Sequence, residues 1–359
     1  MTGRPDEASP LQSSPCCKST TLASLTLYRC QRQSESARQS NISFSRPGSS
    51  SNSLRPSSKT LAPRALISHR SAGSVEKVDF EIVDQEDQIQ PALTRIRDDI
   101  GETLSVNCEG EDLSRRGKLS LVCVASALGK YTFLFDIKTL GAKVFDEGMR
   151  EILEDPGREK LMFDCRQDSD CLWHQYKVKL ANVLDLQPIE VIFRELRARK
   201  PDRKRLVSGY MRCLQNYRGS AQARLIQLKT ACRPLMANSG RVWMERPIQN
   251  KLLDLAALGI QGYYPLFRHM TCLGNNQARY ASQKYVEFLR EREVRLYDKY
   301  ERNAYLPWRV IPRSGDASGV YSEETVCVGC KRSFPRSDFS SVTAGNQRCP
   351  VCLKVYYEN

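Results

Sequence analysis

The 359-residue sequence has few histidines, no long apolar run and no glycine-rich phosphate-binding loop. Three histidines leave little material for a histidine-based hydrolase or metal centre. No stretch approaches the roughly 18 apolar residues of a membrane span, and the first thirty residues lack the compact apolar run of a secretory signal. We therefore expect an intracellular protein, in the cytoplasm or nucleus, that does not enter a membrane.

Positive charge and serine are concentrated near the start of the chain. The formal net charge is +14, and residues 1–75 contribute ten basic and three acidic residues together with 19 serines. These residues show neither helical nor strand periodicity, so they are predicted to form a disordered tail. A serine-rich, acid-poor start also fits a mitochondrial transit peptide, but Asp6, Glu7 and several prolines interrupt an amphipathic opening. A solvated tail is the favoured interpretation.

Strand and helix signals alternate from Asp79 onward. Three strand patterns follow one another closely, at residues 104–109, 118–126 and 130–137. They predict an antiparallel meander, because parallel partners need a crossover of about a dozen residues or more. Over residues 76–305 the pattern is typical of an α/β fold, with a mixed sheet flanked by helices. Further strands are predicted at 79–83, 161–164 and 182–185, and helices at 89–100, 146–154, 168–176, after Pro188 and at 279–305.

Three polar side chains stand where a cation site could form. Asn107 and Glu109 lie two residues apart on a strand, so their side chains leave the same face of the sheet. Asp168 comes at the start of a helix directly after a strand, where the helix dipole favours a carboxylate. Oxygen ligands of this kind suit Mg²⁺. An N-cap is the alternative role of Asp168.

The strings around these residues carry a resemblance. VNCEG (106–110), KLMFDCRQDSDCLWHQYKVKLANVLDLQ (160–187) and WMERPIQNKLLDLAALGIQGYYPL (243–266) resemble the three motif regions of the DEDD-superfamily 3′–5′ exonuclease domain. The similarity is to the ribonuclease D and Werner type, in the branch of piRNA-biogenesis exonuclease-domain proteins. It implies a ribonuclease-H-like fold and two divalent ions, Mg²⁺ or Mn²⁺, held by four carboxylates.

The resemblance also implies roles for five positions. Glu109 and Asp168 match retained family acids. Asn107 and Gly259 stand where the family has aspartates, and Leu255 stands for the tyrosine that orients water. A site with half its carboxylates should bind a hard dication poorly. The resemblance therefore implies a pseudoenzyme, which would need Mg²⁺ or Mn²⁺ only if it were active.

Two other carboxylates lie near these motifs in the sequence. Asp164 precedes Asp168 by four residues, and Asp254 precedes Gly259 by five, which places it about 140° away on a helix. We interpret both as surface or capping residues.

Residues 194–246 are the second concentration of positive charge, with fourteen basic residues and three acidic ones. A one-signed run of this density predicts contacts with nucleic-acid phosphates, with RNA favoured over DNA. A solvated helix rim is the alternative. Tyr210 and Tyr217 could stack on bases, although core packing is the favoured role. The candidate contacts are Arg197, Arg199, Lys200, Arg203, Lys204, Arg205 and Arg212.

Four cysteines near the end of the chain form two Cys-x-x-Cys pairs separated by 18 residues. This spacing allows four thiolates to converge on one structural Zn²⁺ with no open coordination position. Two disulfides are the alternative. Residues 325–359 are therefore predicted to be a zinc module, after a linker at 306–324. Its ligands would be Cys327, Cys330, Cys349 and Cys352.

Three hypotheses on function follow. The first is a nucleic-acid-binding protein on an exonuclease fold whose catalysis is reduced or lost. The second is an active metal-dependent 3′–5′ exonuclease. The third is an adaptor that recruits protein partners through its tail or zinc module.

Overall fold

The computed structural model describes residues 78–100, 103–199, 205–217, 220–237, 240–270, 275–293, 299–311, 324–339 and 347–358. The predicted tail lies outside these ranges. So do the basic residues Lys200, Arg203 and Lys204.

A six-stranded mixed sheet forms the centre of the fold. Its strands are β1 (Glu81–Val83), β2 (Leu104–Glu111), β3 (Lys118–Ser126), β4 (Thr132–Asp136), β5 (Lys160–Met162) and β6 (Val183–Asp185). Their order across the sheet is β1-β4-β3-β2-β5-β6. β3 is antiparallel to both β2 and β4, which confirms the predicted meander, whereas the pairs β1–β4, β2–β5 and β5–β6 are parallel.

Helices cover both faces of the sheet. They are α1 (Glu86–Asp98), α2 (Ile137–Leu140), α3 (Arg150–Glu154), α4 (Arg166–Tyr176), α5 (Leu186–Arg197), α6 (Tyr210–Asn216), α7 (Ser220–Cys232), α8 (Asn250–Gln261), α9 (Tyr263–Met270) and α10 (Asn275–Arg290), with a π-turn at Phe145–Met149 and 3₁₀ turns at Arg233–Met236 and Arg241–Met244. Along β3, Val122 and Val124 enter one apolar core while Leu121 and Cys123 enter the other. The α/β fold class predicted from the sequence is confirmed.

The prediction of one helix over residues 279–305 is wrong. α10 ends at Arg290, and residues 299–305 form turns. Tyr300 packs against the cysteines near the carboxyl end of the chain, and Leu306 is buried against the sheet. Tertiary packing of these apolar side chains outweighs the helical preference that alternating charges suggested.

Residues 299–311 lie against the part of the fold that contains the mixed sheet. Val310 and Ile311 are buried in the core, and the backbone N–H of Leu306 donates to the carbonyl of Arg205 at 2.8 Å. The start of the predicted linker is thus packed, while residues 312–323 fall outside the described ranges. The domain boundaries stay predictions.

A small two-stranded unit ends the chain. β7 (Glu324–Val326) and β8 (Ser333–Pro335) pair antiparallel, a 3₁₀ turn follows at Arg336–Asp338, and α11 (Pro350–Tyr357) completes it. Its apolar cluster contains all four predicted cysteine ligands together with Phe334 and Phe339.

Candidate functional site

The second half of β2 projects beyond its parallel neighbour. On β2, only Leu104 and Ser105 pair with β5, so Asn107 and Glu109 lie past the end of β5. Their side chains share one face of the sheet, and Cys108 between them is buried in the core on the opposite face. We use the word cleft for the region beside this end of β2, where the two polar side chains lie.

Two hydrogen bonds join Asn107 to other side chains, and its Nδ2 also donates to the carbonyl of Cys108 at 3.2 Å. Its Nδ2 donates to Oε1 of Glu109 at 2.9 Å, and its Oδ1 accepts from the hydroxyl of Tyr263 at 3.1 Å. The amide is therefore fixed between a retained acid and a tyrosine. Sequence reasoning did not select Tyr263, which comes directly after Gly262 where α9 follows α8.

Asp168 is brought to the same place by α4. The helix begins at Arg166, so Asp168 lies in its first turn, and its Oδ1 accepts from the backbone N–H of Cys108 at 2.8 Å. Asp168 is thus anchored to β2, and the N-cap interpretation is wrong. Burial raises the pKa of Asp168 to about 7, against the opposing effect of that backbone hydrogen bond.

Glu109 is poorly solvated as well. Desolvation raises its pKa to about 7, and the nearby positive charge of Lys229 and the hydrogen bond from Asn107 oppose the rise. Desolvation thus raises the pKa of both carboxyl groups to about 7.

The motif framework around the acids is intact. Asp185 accepts from the backbone N–H groups of Asp164 at 3.0 Å, Cys165 at 2.7 Å and Gln187 at 2.8 Å. The first two of these bonds hold the turn between β5 and α4, which sets the position of Asp168.

A second anchor fixes the approach to α8. The guanidinium of Arg246 donates to both carboxylate oxygens of Asp136, at 2.6 and 2.5 Å, and to the hydroxyl of Ser120 at 3.0 Å. Asp136 ends β4 and Ser120 lies on β3, so this bidentate contact ties the third motif region to the sheet.

The two altered positions on α8 differ in their surroundings. Leu255 is buried in the apolar core, where a larger side chain has little room. A Cβ placed on Gly259 would meet no atom within 4 Å, so this position opens toward free space. The hydroxyl of Tyr210 donates to the carbonyl of Gly259 at 2.8 Å.

The two neighbouring carboxylates do not join the pair. Asp164 is bound by Arg166, whose Nη2 donates to it at 2.7 Å. Asp254 is half-buried on α8. Across the ranges that the structure covers, no third acidic or histidine side chain forms a ligand cluster with Glu109 and Asp168.

Lys229 on α7 lies near the acid site, and the sequence analysis did not select it as a candidate residue. Its ammonium lies 5.0 Å from the centroid of the Tyr210 ring, and its charge acts on Glu109. The only sequence signal for it was membership of the basic segment.

With two acids, one amide, an empty position at Gly259 and an ammonium, the residues present do not fit a pair of divalent ions, which need several anionic oxygens.

The candidate nucleic-acid contacts that the structure describes differ in their surroundings. Arg197, Arg199 and Arg212 are exposed, and the Arg197 guanidinium lies 5.2 Å from the Phe193 ring centroid. Arg205 is partly neutralised, because its Nε donates to Glu195 at 2.8 Å.

Tyr210 and Tyr217 are partly buried among aromatic neighbours. The Tyr210 ring centroid lies 5.2 Å from that of Tyr263, and the Tyr217 hydroxyl donates to Glu190 at 3.0 Å. Both tyrosines therefore contribute to packing around the cleft.

The four cysteines of the two Cys-x-x-Cys pairs converge. Their sulfur atoms all lie within 4.8 Å of one another and are buried, and Cys330 Sγ is 4.0 Å from Cys349 Sγ. Tetrahedral coordination with metal–sulfur bonds of about 2.3 Å separates sulfurs by about 3.8 Å. The cluster therefore fits one tetrahedral metal ion. None of the ten cysteines that the structure describes forms a disulfide.

Backbone amides and polar contacts support this cluster. The N–H of Cys349 donates to Cys327 Sγ at 3.2 Å, an interaction typical of thiolate ligands. Towards the larger body, Arg292 donates to the carbonyl of Cys330 at 2.5 Å, and Trp308 Nε1 donates to Asp338 at 3.0 Å. The cysteine module thus contacts Arg292 and Trp308.

Comparison with known proteins identifies the larger body. Residues 80–206 match the family model described as 3′–5′ exonuclease. The chain carries a 3′–5′ exonuclease-like domain. The resemblance drawn from the motif strings is therefore confirmed.

Curated relatives agree with this domain assignment. The chain is 33% identical over 202 residues to the piRNA biogenesis protein EXD1 of Mus musculus, covering 53% of this chain and 33% of that protein. It is 31% identical over 212 residues to the Xenopus laevis protein of the same name, covering 58% and 46%. The chain thus spans less than half the length of the curated relatives it matches.

Solved structures share the fold of the exonuclease-like domain. Trypanosoma brucei RNase D in complex with RNA U12 superposes with a TM-score of 0.54 at 21% identity, covering 76% of this chain and 91% of that one. The GMP complex of the same enzyme gives a TM-score of 0.53 at 24% identity, covering 64% and 69%. Among the described helices, none is both long and apolar enough to cross a membrane.

Proposed function

We propose that this protein binds single-stranded nucleic acid, with RNA favoured over DNA, on an exonuclease-like domain that no longer cleaves it. The observation that carries the proposal is the acid site itself. Asn107 is locked by hydrogen bonds to Glu109 and Tyr263, and no carboxylate extends from position 259. Without enough anionic ligands, the two-metal route to hydrolysis is lost while the cleft persists.

Two features support a nucleic-acid ligand. The basic segment brings Lys229 near Glu109, and its Arg197, Arg199 and Arg212 are exposed for phosphate contacts. The curated relatives are named for piRNA biogenesis, and one solved structure with the same fold is titled as a complex with RNA. Together these features favour RNA over DNA.

The cysteine module also has a proposed cofactor. We propose that Cys327, Cys330, Cys349 and Cys352 hold Zn²⁺ as a structural ion, since four thiolates close a tetrahedral shell. The domain would need Mg²⁺ or Mn²⁺ only if it were active. The zinc module and the tail are additional candidates for contacts with protein partners.

The test uses 3′-end-labelled RNA and single-stranded DNA with Mg²⁺ or Mn²⁺, with a gel shift on the same substrates. We expect a shift that is stronger for RNA and no shortening of either strand. Metal-dependent trimming that disappears in Glu109→Ala would instead establish an active exonuclease. The absence of both binding and trimming would favour the adaptor hypothesis.

A companion variant tests the basic segment. Reversing charge at the exposed positions, with Arg197→Glu and Arg199→Glu together, should weaken the shift and reduce its salt dependence, because each lost phosphate contact lowers the number of released counterions. An unchanged salt slope would place the binding surface elsewhere.

A further inference from the structure

Lys229 brings a positive charge to the retained acids. It lies on α7, with its ammonium 5.0 Å from the centroid of the Tyr210 ring. The hydroxyl of that ring donates to the carbonyl of Gly259, and the ring also packs against Tyr263, the partner of Asn107. The ammonium therefore belongs to the same cleft as the degenerate acid positions.

The ammonium and a divalent cation compete for the same role. A fixed positive charge near Glu109 repels an incoming dication and compensates part of the carboxylate charge. Asn107 satisfies a further oxygen of Glu109 without adding negative charge. The chain thereby supplies within itself part of the compensation that a bound metal would otherwise provide.

The half-buried Lys229 side chain has hydrogen-bond donors available. Within the ranges that the structure describes, its ammonium donates no hydrogen bond to a protein acceptor and forms no close ion pair. Burial lowers the pKa of Lys229, and Glu109 counteracts that effect. A lysine ammonium binds phosphate oxygens as a point charge.

We propose that the Lys229 ammonium takes the place of the divalent cation in this cleft and holds a backbone phosphate of the bound strand without metal. The phosphate contact rests on the proposed function. The exclusion of the dication does not, so the two parts can fail separately.

The first experiment measures affinity. Fluorescence anisotropy of the zinc-loaded full chain with a labelled single-stranded RNA should give the same Kd in buffer without added Mg²⁺ as in Mg²⁺. Lys229→Met removes the charge and keeps the aliphatic stem, and it should weaken binding about tenfold, as expected for one charge-assisted contact. Lys251→Met is the matched control, because Lys251 is exposed on the neighbouring helix α8.

The second experiment measures metal binding without any nucleic acid. Asn107→Asp with Gly259→Asp restores two carboxylates, and the open space at position 259 accommodates the second. Electron paramagnetic resonance of free Mn²⁺ measures how tightly this double variant binds the ion. Adding Lys229→Met to the double variant should tighten Mn²⁺ binding about tenfold or more. Circular dichroism checks that each variant is folded.

The outcomes distinguish a failure of the proposed function from a failure of the inference about Lys229. If the wild type binds no RNA but Lys229→Met still tightens Mn²⁺ binding, the proposed function fails and the charge substitution holds. If the wild type binds Mn²⁺ at a site removed by Glu109→Gln, or if Lys229→Met behaves like Lys251→Met in both assays, the inference about Lys229 is overturned.

Discussion

The two candidate metal centres of this chain differ in what they keep. The cysteine module has all four sulfur ligands within 4.8 Å of one another, whereas the exonuclease-like cleft keeps Glu109 and Asp168 without a third acid in reach among the described residues. Yet the framework around the cleft, Asp185 and the Arg246–Asp136 pair, is fully hydrogen-bonded. The hydrogen bonds that hold the acid site in place are thus present whether or not the site binds a metal.

The largest expected effect comes from removing metal from the cysteine module. A unit of this size has too small a core to fold alone, and structural zinc contributes about 10 kcal/mol or more of binding free energy. A strong zinc chelator, or Cys349→Ser, should make residues 324–358 sensitive to protease while the mixed sheet stays folded. Limited proteolysis and far-ultraviolet circular dichroism measure this. Retained protection after chelation would contradict a structural ion.

The next effect concerns the framework of the cleft. Arg246→Ala leaves the carboxylate of Asp136 buried without its partner, and the free energy of unfolding should fall by about 3 kcal/mol. Arg279→Ala is the control, because its ion pair with Glu159 is more exposed and should cost about 1 kcal/mol or less. Urea denaturation compares the two. Equal losses would mean that the Arg246 contact does not anchor the third motif region.

Asp168 provides a pH-dependent test. Its folded pKa of about 7 lies above the ordinary value of 3.8, so the folded state binds the proton more tightly and stability is lost as pH rises from about 4 through 7. Asp168→Asn removes this titration. The free-energy difference between pH 5 and pH 8 should shrink by about 1–3 kcal/mol. An unchanged difference would show that the carboxylate is compensated, as by a bound cation.

The smallest effects distinguish the two altered positions of α8. Leu255→Tyr inserts a larger side chain into a packed core and should destabilise the protein by about 1–3 kcal/mol. Gly259→Asp enters open space, so its effect on stability should stay within about 1 kcal/mol. Thermal unfolding of both variants measures the contrast, and a larger loss for Gly259→Asp would place this position inside the core.

Local patterns predicted much of the fold. The run KLSLVCVAS coincides with β3, and the short links between three strand patterns required the antiparallel meander. The helix prediction is wrong beyond Arg290, where the alternating charges had suggested that the helix continues. There the decisive contacts are between residues far apart in the chain, such as Tyr300 and the cysteines.

The cysteine ligands and the acid positions were also accessible from the sequence, because each is carried by a local motif with regular spacing. Tyr263 and Lys229 were not. A tyrosine after a glycine and a lysine in a basic run carry no periodic signal, and they become site residues only when α7 and α9 pack beside the end of β2.

By itself, the sequence determined the strand order of the meander, the spacing of the four cysteines and the positions of Glu109 and Asp168 in their motifs, because each depends on residue type and short spacing. Only the tertiary structure decided which groups surround Glu109 and Asp168 in the cleft. The Asn107 hydrogen bonds, the open space at Gly259 and the charge of Lys229 all depend on packing between elements remote in the chain, which no local pattern encodes.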